Sequence, residues 1–129
     1  CFHCHGGPLM TSNAITNNGL DSIPSGQDRG KYNYTGNILD DGKFSIPSLR
    51  NIALTAPYMH DGRYQTLEEV VEFYADDVQL DSPNLETHML PWIGGQVDLS
   101  PEDRVDLVAF LRTLTDPQFL TNPALSDPN

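Results

Sequence analysis

Cys1-Phe2-His3-Cys4-His5 is a C-x-x-C-H run, and its reading decides how the rest of the chain is understood. The spacing puts two thiols on neighbouring parts of one helical turn. Each can add to a vinyl group of one haem while the imidazole after Cys4 reaches the iron, so covalent c-type haem attachment is the leading reading. A thioredoxin-like redox pair would need a βαβ setting that the flanking residues lack. A zinc site would need two more ligands at similar spacing, and the chain has no third cysteine. A Cys1–Cys4 disulfide is the structural alternative, and its loop is too short to constrain much of the unfolded chain. His3 has no fixed role in attachment and reads as an exposed polar side chain.

A chain of 129 residues is one domain with one core. Ten prolines, ten glycines and 38% apolar residues suggest a loop-rich domain with a few helices, able to use a large apolar cofactor as part of its core. A formal charge of -11 argues against nucleic acid and against an anionic membrane surface, and favours basic partners or simple solubility. No apolar run approaches a membrane span. Thioether attachment implies a compartment outside the cytoplasm, periplasmic or extracellular. Because a helix ordinarily precedes this motif, the natural polypeptide is expected to extend further N-terminally.

Residues 6–50 read as mostly irregular. Gly6-Gly7-Pro8 ends the attachment turn, and Asn17-Asn18-Gly19, Pro24-Ser25-Gly26 and Asp40-Asp41-Gly42 are turn signals. So long a loop is uncommon unless it serves a site. Pro47 and the Leu49–Leu54 run read as a short helical turn, and Asp61-Gly62 closes the turn after Pro57. Thr66 with Glu69 forms a capping box, and Leu67, Val70, Val71 and Tyr74 follow at i, i+3, i+4 and i+7, which predicts a helix with Tyr74 on its buried stripe. A last helix begins at Ser100 and Pro101, with Glu102 and Asp103 in its first turn. Leu107, Val108, Leu111 and Leu114 form its inward stripe, with Val105 and Phe110 alongside. Residues 1–116 form the domain, and the Pro-, Asn- and Asp-rich residues 117–129 read as a tail that is loosely ordered or lies on a partner.

Several pieces of the sequence together resemble one family. Cys1 to His5, Lys43-Phe44 through Pro47-Ser48-Leu49-Arg50-Asn51, Leu54-Thr55-Ala56-Pro57-Tyr58-Met59-His60-Asp61-Gly62, and Thr66-Leu67-Glu68-Glu69-Val70-Val71 are similar to the C-terminal haem domain of the bacterial di-haem cytochrome c peroxidase and MauG family. The resemblance implies a mainly α, class I cytochrome c-like haem domain with long loops. It also implies an N-terminal haem domain, or another chain of the same enzyme, as partner, and a redox protein or small molecule as electron donor. The enzyme implied is an oxidoreductase that handles peroxide at a second haem. The contrasting reading is a free-standing monohaem carrier or a subunit of a multihaem assembly.

The iron's sixth position decides whether such a haem does chemistry or only passes electrons. Tyr74 aligns, in the resemblance, with an axial methionine of the peroxidases and a tyrosine of MauG. Met59 and Met89 are the alternatives, as soft thioether ligands. A phenolate stabilises ferric over ferrous iron and lowers the potential, whereas a thioether raises it. Arg50 and Arg63 are candidates for pairing with haem propionates. The resemblance further implies that backbone carbonyls of Thr55 and Pro57 help hold a calcium ion, with a third ligand from the partner domain. His60 reads as a loop-orienting residue and Trp92 as a packing aromatic beside Pro91.

Overall fold

The computed structural model describes residues 1–90 and 98–126. Its core lies where α2 (Leu67–Glu72) packs on α3 (Pro101–Thr113). Both helices start as the sequence predicts. Thr66 Oγ1 accepts from the Glu69 N–H while the Glu69 carboxylate accepts from the Thr66 N–H, and Ser100 with Asp103 repeats the arrangement. Each box satisfies two N–H groups that the first helical turn leaves without partners.

Leu67 and Val71 of α2 close on Val108 and Leu111 of α3, and Tyr58 completes the buried cluster from the preceding loop. Leu49, Ile52, Tyr64, Val70, Leu107 and Leu114 pack around it. Burying each large aliphatic side chain contributes about 1.5–3 kcal/mol, so this seam carries much of the fold's stability. Two expectations fail here. Val105 is 69% exposed and Phe110 49% exposed. Val105 lines an open groove that runs between α2 and α3 beside Glu68, Val71 and Glu72. Phe110 lies two residues from Val108, on the opposite side of the helix.

After Glu72 the helix widens into a π-turn over Phe73–Asp77. The i+7 pattern predicts a continuous helix that buries Tyr74. The wider turn instead puts Phe73 deepest, at 2% exposure, and leaves Tyr74 half-buried. Such π-turns often mark functional positions within helices.

The first fifty residues are mostly loop, as expected, pinned by short elements. Strands β1 (Ile15–Thr16) and β2 (Phe44–Ser45) pair antiparallel, Ile15 opposite Ser45 and Thr16 opposite Phe44. One helical turn, α1 (Tyr32–Thr35), lies between them. Arg29 pairs with Asp41, Lys31 with Asp40, and the Arg29 guanidinium lies over the Tyr32 ring at 3.6 Å. Gly30 has φ +58°, and a Cβ there would sit 2.2 Å from the Lys43 carbonyl oxygen, so the chain crossing requires glycine.

Beyond α3, residues expected to be irregular are locally helical. Asp116 accepts from the Gln118 and Phe119 N–H groups and Pro117 takes the first position of α4 (Pro117–Thr121), after which Pro123–Leu125 makes one 3-10 turn. This is ordinary capping chemistry. The stretch remains open to solvent, with Phe119 and Leu120 about half exposed. No described helix is long and apolar enough to cross a membrane.

Candidate haem site

The C-x-x-C-H run folds as a single turn: the N–H groups of Cys4 and His5 both donate to the Cys1 carbonyl, at 3.1 and 2.8 Å. No disulfide joins the two cysteines, so these backbone bonds hold the turn without one. The Ser12 N–H donates to the Cys4 carbonyl at 2.8 Å and holds the following loop against the turn. Before any attachment, burial pushes the Cys4 thiol's pKa up, and the Glu86 charge adds to this.

His5 is half-buried, and its Nδ1 lies 3.2 Å from the Met10 carbonyl oxygen. With Nδ1–H donating there, Nε2 carries the lone pair, and the ring is oriented as a ligating histidine's ring usually is. Burial lowers the His5 pKa, so the imidazole is neutral and competent as a ligand at pH 7.

Tyr74 sits on the π-turn Phe73–Asp77. Its hydroxyl accepts a hydrogen bond from the Asn18 amide nitrogen at 3.1 Å, and the Met59 sulfur lies 3.8 Å from that nitrogen. Burial raises the Tyr74 pKa, and the Asn18 donor opposes this. Two of the three candidate sixth ligands thus meet at one amide. Met89 is on the 3-10 turn Thr87–Met89 and does not share that amide. That turn packs against the C-x-x-C-H segment by stacking His88 on His3, ring centroids 4.1 Å apart and planes at 17°.

Asn18 is held firmly. Asn17 donates to Ser82 Oγ and the Pro83 carbonyl, its own carbonyl accepts from the Glu86 N–H, and the Gln79 N–H donates to the Gly19 carbonyl. Gly19 has φ +74°, and a Cβ there would meet the Leu85 and Val78 side chains at 2.9 Å. This stapling makes residues 17–20 and 79–86 one unit.

The other candidates separate. Arg63 is engaged by carboxylates: Nη1 and Nη2 donate to Asp21 at 3.0 and 2.9 Å, and Nε donates to Asp61 at 2.7 Å. The two carboxylates push its pKa further up. A propionate would have to displace one of them. Arg50 is exposed, and among the described residues it makes no ion pair. Thr55 and Pro57 are exposed, and no described donor reaches their carbonyl oxygens. These are hard oxygens of the kind calcium takes. His60 Nε2 donates to the Asp28 carboxylate at 2.8 Å and its ring stacks on Phe44, centroids 3.6 Å apart, which agrees with an orienting role. Asp28, His60 and Asp61 converge as a metal site would, but Arg63 holds both Asp61 oxygens, so an ion-pair network accounts for them. Trp92 lies outside the described residues.

Sequence reasoning missed Asn18, His88 and Phe44. Asn17-Asn18-Gly19 reads as a turn because of its composition, and only the folded chain shows that the second asparagine points its side chain at Tyr74. The donor set of the opening turn suits a c-type haem: two thiols on one turn and an imidazole whose Nδ1 is anchored.

No protein-family model matches the sequence. Individual relatives do. The chain is 32% identical, over 98% of its length, to cytochrome c peroxidase IdrP1 of Denitromonas iodatirespirans, of which it covers 39%. It is 34% identical, over 97% of its length, to the methylamine utilization protein MauG of Methylorubrum extorquens, of which it covers 34%. Among solved structures it resembles a MauG-like protein associated with microbial copper homeostasis, with a TM-score of 0.81 and 36% identity over 99% of this chain and 46% of that one. The chain therefore spans between a third and half of the length of these relatives. The resemblance read from the motifs is thus supported along nearly the whole chain: the chain belongs to the family of the bacterial cytochrome c peroxidases and MauG.

Proposed function

We propose that this chain is the C-terminal haem domain of a di-haem peroxidase or MauG-like oxidoreductase, with a class I cytochrome c-like arrangement. Haem c would be joined through thioethers to Cys1 and Cys4, with His5 as the proximal iron ligand and Tyr74 as the distal one. The observation that carries this reading is that the C-x-x-C-H run folds as one turn in which the Met10 carbonyl anchors Nδ1 of His5 and leaves its other ring nitrogen for the iron.

When bound, the haem supplies one-electron exchange at its iron. The chain's own residues do the rest. His5, oriented by the Met10 carbonyl, offers a lone pair without needing to lose a proton first. Tyr74, on a helix that also builds the core, presents an oxygen that favours ferric iron. A filled sixth position keeps peroxide away from this domain. Peroxide is therefore handled at the haem of the N-terminal domain, and this domain passes electrons to or from it. The free carbonyls of Thr55 and Pro57 support a calcium ion shared with that partner. The enzyme works outside the cytoplasm, in the periplasm, where c-type haem is attached, and exchanges electrons with a redox protein or small donor.

The test compares ultraviolet-visible and low-temperature spin-resonance spectra of the native protein with those of Tyr74→Phe. Loss or replacement of the sixth ligand is expected. Unchanged spectra would move the distal ligand to Met59 or Met89. The haem count of the native protein separates the di-haem enzyme from a monohaem carrier.

A further inference from the structure

We infer that Asn18 is a positioning residue that selects the Tyr74 oxygen over the Met59 sulfur as the occupant of the sixth position; this rests on the reading of Tyr74 as distal ligand. The geometry points to it because the Asn18 amide nitrogen is the one described donor shared by both candidates, 3.1 Å from the Tyr74 hydroxyl and 3.8 Å from the Met59 sulfur. An N–H donor distinguishes sharply between these partners. It makes a full hydrogen bond to a phenolic oxygen and a stronger one to an anionic oxygen, whereas a thioether is a weak acceptor.

Both competitors can change position, and the amide between them cannot easily do so. Met is unbranched with three rotatable bonds, and Met59 sits in the left-handed region at φ +68°, on a loop. Tyr74 sits on a π-turn, where the helix has lost its regular register. Asn18 is fixed by the Asn17 side chain bonded to Ser82 and Pro83, by the Gly19 carbonyl bonded to the Gln79 N–H, and by the tight fit of Gly19 against Leu85 and Val78. The donor is therefore a fixed reference point, and the oxygen it holds is the preferred ligand. In a haem whose potential depends on oxygen or sulfur ligation, the residue that biases this choice sets the redox role of the domain without touching the iron.

The experiment uses the full native protein with its haem, and reads the tyrosinate-to-iron signal by resonance Raman and the ligand set by spin resonance. Asn18→Leu removes the donor at similar volume. Because a hydrogen bond to a charged group contributes about 1.5–3 kcal/mol, the ratio of Tyr74-ligated to otherwise ligated haem should fall at least about tenfold. Asn18→Asp keeps the shape, removes the N–H and should act in the same direction, which covers the case in which Asn18→Leu does not fold. Asn18→Gln retains an amide donor and should restore part of the signal. Wild-type tyrosinate signal in both Asn18→Leu and Asn18→Asp overturns the proposal. Tyr74→Phe separates the two failures. If Tyr74→Phe abolishes the signal and neither Asn18 variant changes it, the role of Asn18 is wrong and the ligand assignment stands; if Tyr74→Phe leaves the spectra unchanged, the ligand assignment itself falls and this inference falls with it.

Discussion

The side-chain carbonyl of Asn51 accepts a hydrogen bond from the Asp116 N–H at 2.7 Å, joining the loop before the Ile52–Leu54 turn to the chain just beyond α3. The Asn51 N–H also donates to the Leu114 carbonyl at 3.0 Å, so this one residue ends the last long helix from outside it. Asn51 has φ +56°, a conformation asparagine tolerates better than most residues. Asn51→Ala should therefore cost about 1–3 kcal/mol, from a lost hydrogen bond and a strained backbone together. Asn51→Gly, which relieves only the strain, should cost less. Urea midpoints of the haem-loaded protein measure the difference, and equal midpoints for the two variants would remove the strain component.

Thr66 caps the helix that leads to Tyr74. Thr66→Ala should lose about 1 kcal/mol, and Thr66→Ser should be close to neutral, because the hydroxyl accepts from the Glu69 N–H. A thermal melt reads both. An Ala variant as stable as the native protein would show that packing of α2 on α3 holds this helix without its cap.

Phe73 is the most deeply buried large side chain described, and it touches both Tyr64 and Tyr74, with ring centroids at 5.9 and 4.9 Å. Phe73→Ala should cost about 3–5 kcal/mol by leaving a cavity. It should also disturb the haem spectrum, because the Tyr74 ring loses its edge-on neighbour. Phe73→Leu should keep most of the stability and shows whether the spectral change follows ring contact or cavity volume.

The boundaries of α2 and α3 were legible in the sequence because capping is local: Thr66 with Glu69, and Ser100 with Pro101 and Asp103, need only their own neighbours to act. Leu67, Val71, Val108 and Leu111 were legible for the same reason, since helical spacing alone puts them on one face. Val105 was misjudged because its exposure depends on how a different helix lies against α3, which leaves a groove there. Tyr74 and Phe73 exchanged depth because one extra residue per turn shifts the phase, and no side-chain pattern announces that. Asn18 was invisible as a partner of Tyr74 because 56 residues separate them. The thiols and imidazole of the opening motif were readable at once, since their chemistry is contained in five consecutive residues.

Acid should weaken the fold through its own caps and cross-links. A hydrogen bond from Lys31 holds the Asp40 carboxyl below its ordinary range, the Gln65 and Thr66 N–H groups do so for Glu69, Arg104 for Asp76, and Ser100 for Asp103. A carboxylate depressed in the folded state binds fewer protons there than in the unfolded chain. Its contribution is complete above the ordinary values of 3.8 for Asp and 4.5 for Glu, and is lost as pH falls through the lower folded values. The urea midpoint should therefore be insensitive to these groups near neutral pH and drop below about pH 4.5. Asp76→Asn should make that drop shallower. A drop as steep as the native protein's would leave Arg104 and Asp76 as a surface contact without linkage.

The central claim is that the turn at Cys1–His5 holds a covalently attached haem, and mass spectrometry of the proteolytic peptide containing Cys1 and Cys4 from the native protein tests it most directly. The account predicts that this peptide carries the mass of one haem through two thioethers, absorbs as haem c, and loses the second linkage in Cys4→Ser. A colourless peptide whose two sulfurs are free, or joined to each other, would contradict it.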